Sequence, residues 1–324
     1  MRQAWRCVFH DQPRIQPGER PGGSPAAESA MWRAIARVLR SPLDQLSTVL
    51  LPATCRLCAQ PLLHASRSPV CLDCWRLIQP QSPENLCSRC GEQLGFGDLR
   101  FSVHARLPGQ VLCELCERAL PPFEQAVAYG VYQGTLRSLI HLLKYEGVAS
   151  CASPLGERLA LAIASLGSLP DGTLVVPVPL HTARRSERGF NQTALLAQSA
   201  IAALRRIWPH KRLKLAENAL ARSRRTESQA GLTPHQRRRN LRGAFQVPEP
   251  QRLAGDPVLL IDDIYTTGAT ARECSRTLLA AGATSVFVAT LARSQREGVA
   301  FWSPQVVDFT RAVDLAVPGE TTVN

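Results

Sequence analysis

The chain has 324 residues, more than one average domain, and 45% hydrophobic against 20% charged residues, the balance of a folded chain rather than a disordered one. Its net charge of +12 is unevenly spread: residues 175–245 hold 15 Lys/Arg against 3 Asp/Glu, a surplus equal to that of the whole chain. A local basic block points to an anionic partner, phosphates or nucleic acid, with a solvated arginine-rich surface as the plainer alternative. The best N-terminal candidate for a membrane span, residues 30–51, is broken by Arg33, Arg37, Arg40, Pro42 and Asp44, so no span is expected. No apolar run with a small-residue cleavage site follows Met1, so no secretory signal is expected and the compartment read from the sequence is the cytoplasm.

Residues 1–30 are rich in Pro, Gly and Ser without a periodic apolar face, which predicts a disordered extension. Met31 follows at once, and translation is expected to start there. From Trp32, the apolar residues Ile35, Ala36, Leu39, Leu43 and Leu46 recur at intervals of three and four, which predicts an amphipathic helix over 31–52 packed on the next module.

Residues 53–120 carry four CxxC pairs: Cys55/Cys58, Cys71/Cys74, Cys87/Cys90 and Cys113/Cys116. Each pair sets two thiolates on one tight turn, and two such turns complete a tetrahedral four-sulfur site. The segment has few large apolar residues, so metal takes the place of a core. Two structural zinc sites are expected, closed and without catalysis. An iron–sulfur cluster would use the same ligands, and a redox pair would need a thioredoxin-like unit that is not visible. Sequential pairing and a cross-brace joining the first pair to the third are both open. Cys7, Cys151 and Cys274 are isolated and read as free or buried thiols.

Residues 123–295 alternate strands and helices, predicting a parallel sheet covered on both faces. A strand at 125–134 leads to a helix over 135–145 with Thr135 as its N-cap. The strand around Val175 is followed by a loop, then by a helix for which Asn191 is the expected cap. A second apolar strand, residues 258–261, ends in Asp262 and Asp263, where open parallel sheets bind ligands. Thr266, Thr267, Gly268, Ala269 and Thr270 then turn into a helix, a setting in which backbone N–H groups and the helix dipole close on an anion. Residues 221–242, dense in arginine, read as a mobile lid, with a surface loop as the alternative. Residues 296–324 are a tail.

The string VLLIDDIYTTGAT, residues 258–270, resembles the PRPP-binding signature of type I phosphoribosyltransferases. The resemblance implies that α/β fold. It also implies ribose contacts for Asp262 and Asp263 as the catalytic pair, a 5′-phosphate loop at 266–270, and Mg²⁺ bridging ribose and pyrophosphate. The loop after the first strand would hold pyrophosphate through His181, Arg184, Arg185, Arg188 and Gly189. With the CxxC pairs, LIHLLKYEG at 139–147, RGFNQ at 188–192 and the Arg-rich stretch 224–245, the chain resembles the ComF/GntX-type family. Within that resemblance His141, Lys144, Thr226, Gln229, Arg237 and Asn240 fall on motif positions with less defined roles.

Three readings follow: a phosphoribosyltransferase displacing pyrophosphate from PRPP with an unidentified acceptor, a non-catalytic PRPP sensor, and a single-stranded-DNA-binding competence factor. Proteins resembling ComF are linked to natural transformation, so single-stranded DNA or DNA-uptake proteins are the implied partners. The basic block interleaves few aromatics (Phe190, Trp208, Phe245), which gives weak support to a stacking platform.

Overall fold

The computed structural model describes residues 54–62, 68–95, 111–167, 169–180, 189–224 and 233–295. The expected N-terminal extension, the helix at 31–52 and the C-terminal tail lie outside them. By internal contacts the chain divides into two units, residues 1–55 with 59–67, and residues 56–58 with 68–324. In the described part of the first unit, Thr54 and Pro61 form an antiparallel bridge and the Ala59 N–H donates to the Cys55 carbonyl.

The second unit opens with two short helices, α1 (Leu72–Arg76) and α2 (Glu114–Arg118), each starting one residue after a cysteine. It continues through β1 (Gln125–Val131), α3 (Gly134–Tyr145), α4 (Ala152–Ala164), β2 (Leu174–Pro177), α5 (Gln192–Ile207) and β3 (Lys214–Leu215). A small antiparallel pair, β4 (Ala221–Arg222) with β5 (Phe245–Gln246), flanks α6 (Pro234–Leu241). The segment closes with β6 (Pro257–Tyr265), α7 (Ala269–Ala280) and β7 (Ser285–Arg293).

The main sheet has the order β1-β7-β6-β2-β3, and every neighbouring pair is parallel. Val258, Leu259, Leu260 and Ile261 of β6 are all fully buried, as a strand covered on both faces requires. Helix α4 packs on β1 and β7 and α5 on β2 and β6, while α7 packs on β6 and β7. Gly156 of α4 lets α4 and α5 approach closely, since a Cβ there would lie 2.3 Å from the Ser199 Cβ. The doubly wound parallel sheet agrees with the expectation.

Strand β2 is followed by α5 on the way to β3, and β6 by α7 on the way to β7. These connections leave in opposite directions from adjacent strands, so the crevice at the carboxyl ends of β2 and β6 is the topological switch point, where such sheets bind ligands.

Two details differ from the sequence reading. Helix α3 is capped at Gln133 rather than Thr135, which lies inside its first turn. The 221–242 stretch is not one long loop. It carries β4 and α6, because Arg222 pairs with Phe245 across the small sheet and Leu241 is fully buried. Residues 225–232 lie outside the described set. No described helix is long and apolar enough to cross a membrane.

Candidate functional site: the carboxyl end of the sheet and two four-cysteine groups

Strand β6 carries Asp262 and Asp263 to its exit, and alternation along the strand separates their surroundings. Asp263 is buried at 5% exposure. Its Oδ1 lies 2.9 Å from Lys144 Nζ, and Gln192 Nε2 donates to its Oδ2 at 3.1 Å. Lys144 arrives from the last turn of α3 and Gln192 from the first residue of α5. Burial pushes the Lys144 ammonium toward neutrality, but the Asp263 carboxylate outweighs it and holds the lysine above its usual range.

Asp262 is half-buried, and its Oδ1 accepts from the Asp263 backbone N–H at 2.8 Å. Desolvation and the Asp263 charge, against the opposing pull of Lys144, push its carboxyl up to about 8. The partly open edge makes ionisation easier than burial alone implies. A nearby cation or sugar hydroxyls would favour the charged form further.

The chain then turns through Thr266, Thr267 and Gly268 into α7. Gly268 is the N-cap at φ +72°, a conformation closed to most other residues. The helix opens with no side-chain cap and no acidic residue in its first turn, so its N–H groups and dipole face an open concavity. Asp262, Thr266, Gly268, Ala269, Thr270 and Thr290 line this concavity. The Thr267 hydroxyl is buried in this turn and has no hydrogen-bond partner among the described residues.

Across the crevice, Asn191 caps α5 as expected, accepting from the Thr193 N–H, while the Thr193 hydroxyl donates to the Val178 carbonyl at 2.7 Å. These bonds tie the start of α5 to the chain leaving β2. Gly189 just before it is exposed at φ +74°. His181, Arg184, Arg185 and Arg188 lie outside the described residues, as do Thr226 and Gln229. Arg237 and Asn240 belong to α6, which packs on α7. The Asn240 carbonyl accepts from Arg224 Nη2 at 2.9 Å. On α3, His141 Nε2 lies 2.9 Å from the Tyr132 hydroxyl.

Lys144 is thus brought to the carboxylates. Gln192 is the residue sequence reasoning missed as a site residue. Its signals were its place directly after the capping Asn191 and as the last residue of the RGFNQ stretch.

The eight CxxC cysteines form two groups in sequential pairing: Cys55, Cys58, Cys71 and Cys74, and Cys87, Cys90, Cys113 and Cys116. In each, the four sulfurs lie within 4.8 Å of one another. The Cys58–Cys71 and Cys90–Cys113 sulfurs are 3.6 Å apart. A tetrahedral zinc site with bonds near 2.3 Å has sulfur–sulfur edges of about 3.8 Å, so the donor sets fit zinc. Ala59 and Gly91, each just after a second cysteine, adopt positive φ of +59° and +66°, turning the two knuckles alike. In the second group, hydrogen bonding from the Cys113 thiol pulls Cys87 far below the usual thiol range, while hydrogen bonding with Cys113 holds Cys116 far above it. A divalent cation relieves such crowding by taking all four as thiolates.

The second group is joined to the sheet. The Ala126 N–H donates to the Arg89 carbonyl, and Arg89 Nη1 reaches the Glu124 carbonyl at 2.7 Å. A Cβ on Gly91 would lie 2.8 Å from the Ala126 carbonyl oxygen. Cys151 and Cys274 are both fully buried, and burial pushes the Cys151 thiol up to about 11.

No family model matches the chain. It is 32% identical over 248 residues to the DNA utilization protein YhgH of Escherichia coli K12, covering 75% of this chain and 98% of that one. It is 28% identical over 238 residues to competence protein F of Haemophilus influenzae, covering 72% and 93%. Competence protein ComFC of Bacillus subtilis matches at 28% identity, covering 69% and 84%. Among solved structures, glutamine PRPP amidotransferase of B. subtilis is similar over 44% of this chain and 26% of its own, at 22% identity and a TM-score of 0.28. A hypoxanthine phosphoribosyltransferase of Staphylococcus aureus is similar over 48% and 80%, at 15% identity and a TM-score of 0.26.

Proposed function

Since this chain belongs to the ComF/GntX-type family of DNA-utilization and competence proteins, we propose that it binds PRPP at the switch point of its sheet and serves the uptake or use of external DNA. The observation that carries this reading is the uncapped start of α7, set beside the orphaned Thr267 hydroxyl and the partly open Asp262 carboxyl.

In this reading the 266–270 loop and the first turn of α7 hold the 5′-phosphate. Asp262 faces the ribose. Gly189, with His181, Arg184 and Arg188 of the same loop, receives the pyrophosphate, which suits a planar guanidinium fork. Asp263 acts from behind: bonded to Lys144 and Gln192, it fixes the end of β6 and keeps negative charge beside Asp262. Asp262 would offer hard oxygen to Mg²⁺, which would supply charge neutralisation when bound. Thr226, Gln229, Arg237 and Asn240 belong to the segment that covers the substrate.

The chemistry is displacement at C1 of the ribose. The bond to the pyrophosphate oxygen breaks with its electron pair leaving on pyrophosphate, and an acceptor nucleophile bonds to C1. Positive charge grows on the sugar, beside Asp262, and negative charge on the leaving group, which in this reading the loop arginines would neutralise. Catalysis is therefore mainly electrostatic. The two zinc sites are structural, closed by four sulfurs each, and the reduced thiols they need suit the cytoplasm.

Titration calorimetry with PRPP, with and without Mg²⁺, tests the reading. Mg²⁺-dependent binding lost in Asp262→Asn is the expected result; no binding to the wild-type protein overturns it. A second reading, single-stranded DNA binding, is favoured by the basic surplus of residues 175–245. It predicts affinity that falls steeply with salt.

A further inference from the structure

The second four-cysteine group and the start of the phosphate loop are connected by an unbroken line of buried contacts. Arg293 ends β7, and its side chain is 5% exposed. Its Nη2 donates to Cys90 Sγ at 3.4 Å and to Glu92 Oε2 at 3.1 Å. The guanidinium carbon lies 4.2 Å from the centroid of the Tyr265 ring, within range of a strong cation–π contact in a water-poor setting. Tyr265 ends β6 opposite Arg293 in the sheet register, and its carbonyl accepts from the Ser294 N–H. The ring is pinned edge-on by Phe123 at 6.4 Å. Its far end supports the loop: a Cβ on Gly268 would fall 2.2 Å from the Tyr265 hydroxyl oxygen. The backbone of the helix cap therefore rests on the tip of this ring.

We infer that Arg293 and Tyr265 are positioning residues through which the second four-cysteine group, when it holds its metal, sets the backbone of the 266–268 turn for anion binding. The inference rests on the reading of that turn as an anion site. Four thiolates around one divalent cation keep a net negative charge, and Arg293 is placed to share it. Among the described residues, Nε and Nη1 of Arg293 have no hydrogen-bond partner. The corner facing Cys90 and Glu92 therefore sets the orientation of the whole fork over Tyr265. Without the metal the four sulfurs lose their common anchor, so Arg293 keeps Glu92 but loses the fixed Cys90 acceptor that helps orient its fork over Tyr265. By reciprocity, an anion seated at Gly268 must alter the metal site to the same energetic extent.

The test uses the full chain with cobalt(II) in place of zinc, read by its sulfur-to-metal absorption bands, together with calorimetry of PRPP·Mg²⁺ and of inorganic phosphate. The variants are Arg293→Lys and the pair Glu92→Gln/Arg293→Met, which removes both charges of the Arg293–Glu92 ion pair together. The expected result is a band shift on saturating the wild-type protein with anion, absent in the double variant. That variant keeps its full metal content while its anion affinity falls about tenfold, and Arg293→Lys lies between. Unchanged affinity in the double variant, or wild-type bands that ignore bound anion, overturns the inference. If the double variant does not fold, the wild-type bands alone decide in the same way. Phosphate binding with a band shift but no PRPP binding supports this coupling and overturns the PRPP reading, whereas binding of neither overturns both.

Discussion

Lys144 Nζ stands 2.9 Å from Asp263 Oδ1, and this contact makes the two adjacent carboxylates of β6 chemically unequal. Asp263 is held by a lysine from α3 and a glutamine from α5, while Asp262 keeps an edge toward the concavity. Both partners of the ion pair are largely shielded from water, with side-chain exposures of 14% and 8%. Breaking such a pair leaves a charge stranded. Asp263→Asn is expected to destabilise the protein by about 3 kcal/mol, and Lys144→Met by a similar amount. The double variant Lys144→Met/Asp263→Asn is expected to recover part of the loss. Urea unfolding of the four proteins measures the coupling, and strict additivity would contradict it.

The raised Asp262 carboxyl gives stability a definite slope with pH. Its folded value of about 8 lies above the ordinary 3.8, so between these values the folded state binds more protons than the unfolded one. Stability from this group is therefore present below pH 4 and lost as pH rises toward 8. Asp262→Asn is expected to flatten that part of the profile in scanning calorimetry. Mg²⁺ binding near pH 7 is expected to release a proton, seen as a binding enthalpy that varies with the buffer's ionisation enthalpy.

Gly268→Ala places a side chain where φ is +72° and the Tyr265 hydroxyl already lies. A loss of about 1–3 kcal/mol is expected from strain and displacement of the turn. PRPP binding is expected to fall well beyond what the stability loss explains. Tyr265→Phe is not expected to rescue it, because the ring carbon bearing the hydroxyl is still 2.6 Å from the new Cβ. Thermal unfolding and calorimetry on the single and double variants check both statements.

Metal content is expected to be two zinc ions per chain, by analogy of donor set to tetrahedral thiolate sites. Cys116→Ser is expected to remove one equivalent and to unfold α2, of which it is the central residue. The first group is expected to keep its metal. Loss of both ions together, by elemental analysis, would contradict the sequential grouping.

The β6–turn–α7 site was legible because its signal is local: four apolar residues, two acids and a small-residue turn lie within one short stretch. The partners of Asp263 were not. Lys144 and Gln192 reach it only because α3 and α5 both end or begin at the same rim of the sheet, a fact of topology rather than of spacing. The cysteine pairing was undecided for the same reason, since twelve and twenty-two intervening residues accommodate either arrangement. Residue type favours Thr135 as the cap, but the chain enters α3 two residues earlier, through extended Gln133 and Gly134 at φ +48°.

Strand β7 lies near the carboxyl end of the sequence, yet it occupies the second position in the sheet, between β1 and β6. During synthesis the cysteine turns leave the ribosome early, while the gap between β1 and β6 stays open until residues 285–293 emerge. A nascent chain therefore holds β1 without its neighbour from residue 131 onward, and β6 adds a second unpaired edge from residue 265 until β7 emerges, a state prone to wrong pairing. Arg293, the last residue of β7, reaches back to Cys90 only at that moment. Chains stalled or truncated before this strand are expected to carry metal-binding turns on an unclosed sheet and to depend on chaperones.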